Sequence, residues 1–67
     1  MVKAIRVAKK EAQEAKHYLT EHKYISNNYY VRKEKDHIIF PVTKDYAGPY
    51  EEIDVSLDKR EYSPKAI

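Results

Sequence analysis

A chain of 67 residues without cysteine has material for one domain, whose core is thin at that size and gains nothing from disulfides or thiolate-bound metal; the redox compartment stays unspecified. No apolar run approaches the roughly 18 to 20 residues that span a bilayer, and Met1 to Lys10 is too charged for a signal peptide, so the expected setting is the cytoplasm with no membrane partner. The formal net charge of +2 is unevenly divided: residues 1–35 hold nine Lys or Arg against four Glu, whereas residues 36–67 hold four against seven acids. Such a split is either solvated surface or a means of orienting the module on a polyanion or an acidic neighbour.

Lys3 to Val7 alternates, with Ile5 and Val7 on one side, and predicts a half-buried strand. From about Lys9 to Lys23 the residues Ala12, Ala15, Leu19 and His22 recur at helical spacing. The alanines allow close approach to a sheet, so Leu19, the ring of Tyr18 and the following Ile25 should carry the larger apolar contribution. Ser26-Asn27-Asn28 then stops the helix, because short polar side chains bond locally to backbone.

The segment YYVRKEKDHIIFPV, Tyr29 to Val42, predicts a hairpin of strands Tyr29–Lys33 and His37–Val42 around Glu34-Lys35-Asp36. Ile38, Phe40 and Val42 share a face, and Pro41, which lacks an N–H, requires an edge or the end of a strand. Thr43 to Pro49 is a loop with the single glycine, Gly48. Ile53, Val55 and Leu57 alternate with Asp54, Ser56 and Asp58 as a strand with one wet face. The predicted class is α+β: strand, helix, then three strands, with one helix on one face of a small twisted, mostly antiparallel sheet. Residues 1–61 form the domain and 62–67 begin a linker.

The same residues argue against chemistry. One glycine cannot build a phosphate-cradling loop, which excludes a P-loop and the usual dinucleotide or adenosyl-cofactor turn. His17 and His22 are five apart rather than four, and His37 falls on a strand, so no zinc pair forms on a helix face. Glu51 and Glu52 point apart, Asp54 and Asp58 line a wet face, and no serine has the flanking glycines of a nucleophile elbow. No catalytic, cofactor-binding or metal-binding residues are therefore expected. Seven tyrosines are the positive oddity, since tyrosine beside Lys and Arg suits single-stranded or looped RNA, although tyrosine also fills small cores. Of Tyr29 and Tyr30, one should be core and the other available. The candidate RNA-binding residues are Arg32, Lys33 and Lys35 on the hairpin, Lys9 and Lys10 at the helix start, and Tyr30. An equally open reading makes the hairpin charges a guard against strand-to-strand aggregation.

Together "VKAIRVAKKEAQEAKHYLTEHKYI", a short polar break, "YYVRKEKDHIIFPV" with its Phe40-Pro41-Val42 ending, and "EEIDVSLDKRE" resemble the small N-terminal domain of archaeal tRNA guanine-N1 methyltransferases, which modify the guanosine just 3′ of the anticodon. The resemblance implies docking on the outer corner of the tRNA, where the D and T loops meet, as a check of tRNA shape. It also implies a downstream catalytic domain using S-adenosylmethionine, with this chain acting as a monomeric accessory and not itself an enzyme. The alternative is a protein-interaction module with no nucleic-acid role, pairing through its acidic last strand or the Pro41 edge.

Overall fold

The computed structural model describes residues 2–26, 29–56 and 59–64. In chain order the elements are β1 (Val2–Ala8), α1 (Ala12–Glu21), β2 (Tyr30–Lys33), β3 (His37–Pro41), β4 (Glu51–Val55) and β5 (Ser63–Pro64), with 3-10 turns at Lys9–Glu11 and Lys59–Glu61. The strands form one sheet in the order β4-β1-β3-β2-β5, antiparallel at every pairing. This is the predicted α+β arrangement, with a short fifth strand added at the edge. Pro41 is the last residue of β3, opposite Ala4 of β1, while the pairing to β2 runs only through Ile38 and Ile39. Its missing N–H therefore ends a central strand and leaves no gap in a ladder.

Burial falls on both faces of the sheet. On one face Ile5, Val7, Val31, Ile38 and Phe40 meet Ala12, Ala15 and Leu19 of α1, with Tyr24, Ile25 and Val42 closing the ends. The alanine stripe lets the helix lie close, as its spacing predicts, whereas His22 is exposed. The opposite face holds a smaller core of Ala4, Ile39, Val55 and Tyr62, flanked by Val2 and Ile53. Tyr62 is only 8% exposed, and its Oη donates to the Ser56 carbonyl at 3.2 Å. Ser63 and Pro64 then pair with Val31 and Tyr30. The segment expected to leave the domain at Tyr62 is thus packed on it as far as Pro64. The remaining linker residues 65–67, like Asn27, Asn28, Leu57 and Asp58, lie outside the described residues.

The helix is shorter than its periodicity predicts at both ends. At its start no side chain caps it; Lys9 to Glu11 form the 3-10 turn, and the Lys9 N–H donates to the Asp36 carbonyl at 3.1 Å. That bond ties the β1–α1 junction to the hairpin tip. At its end the Lys23 N–H donates to Thr20 O (3.1 Å) and the Tyr24 N–H to Leu19 O (2.8 Å), the paired bonds of a Schellman cap. Lys23 has φ 61°, in the left-handed region where a Cβ is strained. Backbone closure thus ends the helix before the Ser-Asn-Asn stretch is reached.

Four tyrosines form a belt that fastens the 43–50 loop to α1. Tyr18 contacts the His22 ring (centroids 4.3 Å) and the edge of Tyr50 (5.8 Å), and Tyr24 packs on Tyr46 (5.0 Å). Their hydroxyls hold backbone: Tyr24 Oη accepts from Ala47 N at 3.3 Å, and Tyr46 Oη accepts from Tyr50 N at 3.0 Å. The single glycine serves this closeness. A Cβ on Gly48 would lie 2.6 Å from Tyr46 Cζ and 2.9 Å from Tyr18 Oη, besides meeting Tyr46 Oη. Gly48→Ala is accordingly expected to lower stability by about 1 to 2 kcal/mol through displacement of the Tyr46 ring. Chemical denaturation checks this; a variant as stable as the parent contradicts the close packing.

Burial raises the phenols of Tyr46, Tyr50 and Tyr62 above the ordinary tyrosine value, opposed at Tyr62 by the Arg32 charge. The fold therefore favours the neutral phenols, and the unfolded chain ionises first, at about pH 10. Their contribution is fully present below that pH and is lost as pH rises through the higher folded values. Lys3, raised by its hydrogen bond to Asp54, loses its contribution in the same direction. The thermal midpoint should stay flat from neutral pH to about 9.5 and fall beyond about 10. A midpoint that holds level through pH 11 would refute this.

Candidate nucleic-acid interface

Antiparallel pairing of β1 with β3 places Ala8 opposite His37, so the chain enters its helical turn beside the hairpin tip. The Lys9–Asp36 backbone bond locks the two together. Lys9, Lys10 and Lys35 consequently share one end of the domain, and Lys33 stands one residue before the tip, which the Glu34 N–H closes by donating to His37 O at 2.9 Å. All four lysines are exposed, and none has a carboxylate within ion-pair distance among the described residues. Glu11 and Glu14 in the first turns of the helix temper the positive potential there.

Arg32 stands apart from this group. Adjacent strand residues point to opposite faces, and Arg32 shares the face of Ile39 and Tyr62 while Lys33 shares that of Ile38. Its guanidinium is 3.1 Å from Glu34, 3.9 Å from Glu61 and 6.0 Å from the centre of the Tyr62 ring. These contacts clasp the C-terminal segment onto β2. Tyr30 lies on the same face at the far end of β2, about 10 Å along the strand from Lys33. It is 53% exposed, whereas Tyr29 packs on Phe40 at 6.3 Å, which resolves which of the two is available. The six candidate residues thus divide into a lysine cluster at the tip, an exposed aromatic and an arginine committed to the fold.

Three further cations acquire meaning only from the structure. Arg6 lies in one cross-strand row with Ile39 and Arg32; its buried Nε has no hydrogen-bond partner among the described residues and is 3.9 Å from Glu51. Lys44 holds its Nζ 4.9 Å over the Tyr24 ring, and Lys23 projects from the strained helix end. Nothing in the spacing of these residues marks them, because cross-strand rows and backbone strain arise from pairing and chain closure.

Among the described residues no three His, Cys, Asp or Glu gather as a metal cluster, and no helix is long and apolar enough to cross a membrane. Beside Gly48, the single glycine, the space a Cβ would fill is occupied by the Tyr46 and Tyr18 side chains.

The crystal structure of wild-type Trm5b from Pyrococcus abyssi matches the whole of this chain with a TM-score of 0.72 and 21% identity, a likeness of fold. The chain spans 18% of that protein's length. No curated protein matches it. A family model described as the tRNA methyltransferase 5 N-terminal domain matches residues 4–51, from inside β1 to the first residue of β4. With most of its length so matched, the chain belongs to the tRNA methyltransferase 5 N-terminal domain family.

Proposed function

We propose that this chain is the tRNA-docking accessory domain of a tRNA methyltransferase, seated on the outer corner of the folded tRNA and testing its shape. In this reading the methyl transfer to guanine-N1, with S-adenosylmethionine as donor, belongs to a catalytic region of the same polypeptide, and the chain works as a monomer in the cytoplasm. The observation that carries the reading is the convergence of Lys9, Lys10, Lys33 and Lys35, all exposed and without a described acid partner, at the joined hairpin tip and helix start. Ammonium groups there can meet phosphates as charge-assisted contacts, which position a module without reading bases. Family membership agrees with a tRNA-associated role.

Titrating folded and heat-unfolded tRNA into the isotope-labelled chain at two salt concentrations tests the reading. The expected outcome is weak binding, on the order of 10⁻⁵ M, that prefers folded tRNA, falls steeply with salt and shifts amides of residues 9–11 and 33–37. Absence of any shift overturns it. A second reading is favoured by the outer edge of β4, which no strand covers among the described residues: a partner domain could add a strand there. In that case tRNA leaves the spectrum unmoved and the catalytic region shifts the β4 amides.

A further inference from the structure

The end of α1 opposite the hairpin tip carries an arrangement that the lysine cluster leaves unused. An open hollow of about 450 Å³ lies beside the helix C-terminus, lined by Thr20, Lys23, Ile25, Ser26 and Thr43. Two of its hydroxyls have their protons engaged elsewhere. Thr20 Oγ1 donates to Lys16 O at 2.8 Å and Thr43 Oγ1 to Tyr24 O at 3.1 Å, so both oxygens offer lone pairs as acceptors. Among the lining residues Lys23 is the one cation, and it has no acid partner among the described residues.

Lys23 supplies an independent pointer. Its φ of 61° sits at the helix position where glycine is relaxed and a side chain is strained. Strain of this kind gathers where a side chain is used. A helix C-terminus ordinarily repels anions. Here the Lys23 and Tyr24 N–H groups cover the Thr20 and Leu19 carbonyls, which weakens that opposition.

We propose that this hollow is a second RNA contact that takes one ribonucleotide of the tRNA backbone. Lys23 holds the phosphate, and the Thr20 and Thr43 oxygens accept from the ribose 2′-OH. The inference rests on the tRNA-docking reading and deepens it. The ten residues of α1 span about 15 Å, so the hollow and the lysine cluster lie well apart on a molecule whose longest extent is 26 Å. Two fixed contacts at that separation respond to the distance between two stretches of RNA backbone, which is a property of folded tRNA.

The test compares the parent chain with Lys23→Gly and Lys23→Arg, measuring thermal midpoint and tRNA affinity across a salt series. Lys23→Gly should raise the midpoint by several degrees, because it relieves the strain. It should nonetheless bind tRNA about three- to tenfold more weakly, with the slope of log affinity against log salt reduced by about 1. Lys23→Arg, which keeps both the charge and the strain, should match the parent in both measurements. A Lys23→Gly variant that is more stable and binds with unchanged affinity and slope overturns the proposal, as does Lys23→Arg binding no better than Lys23→Gly. If variants at the hairpin tip lose binding and Lys23→Gly does not, the hollow fails while the docking reading stands; if the parent chain binds no tRNA, both fail.

Discussion

Changing Lys9, Lys10 and Lys35 together to glutamate is expected to weaken tRNA binding by on the order of a hundredfold at low salt, and to flatten its salt dependence by about two to three units of log-log slope. Each lysine is exposed, so the substitutions remove no packing, and the circular dichroism and thermal midpoint should change little. The effect comes from counterion release: every phosphate neutralised by a lysine frees a condensed cation, and three lost contacts forfeit three such releases. Arg32 is deliberately left out of this set. Its guanidinium is held by Glu34 and Glu61 and lies over Tyr62, so Arg32→Glu would loosen the C-terminal segment and mix a folding defect with a binding one. Measured by fluorescence titration at several salt concentrations, unchanged affinity in the triple-lysine variant would remove the proposed contact surface.

The second large effect concerns stability. Tyr62→Ala should cost about 3 kcal/mol, because the ring closes the smaller core over Ala4, Ile39 and Val55. A domain of this size commands only roughly 3 to 5 kcal/mol from its core, so the variant should be largely unfolded at physiological temperature. Ending the chain at Ser56 should act in the same direction by uncovering that face and removing the β5 pairing with β2. Urea unfolding followed by circular dichroism is the measurement. A Tyr62→Ala midpoint within error of the parent would mean that the segment is an appendage, and that the second core needs no cover. Tyr62→Phe separates the ring from the hydroxyl bond to Ser56 O and should cost no more than about 1 kcal/mol.

Read alone, the sequence determined every element formed by local periodicity. Ile5 and Val7, the Ala12–Ala15–Leu19 stripe, and the alternation around Ile38 and Phe40 state which side chains turn inward, because strand and helix repeats are properties of neighbouring residues. The hairpin between Lys33 and His37, the end of a strand at Pro41 and the charge imbalance between the halves were equally legible. Tertiary structure alone decided the rest. Two-sided burial of Ala4 and Ile39 depends on a segment twenty or more residues away folding across the sheet, and composition had marked that segment as a linker. The strained Lys23 cap follows from hydrogen-bond closure at the helix end, not from a residue type that favours it. The candidate site divided for the same reason. Arg32 and Lys33 are neighbours in sequence, yet the two-residue repeat of a strand sends one into an ion-paired clasp and the other toward the exposed lysines, and the pairing of β1 with β3, closed by a backbone bond from Lys9 to Asp36, brings the two halves of that cluster together.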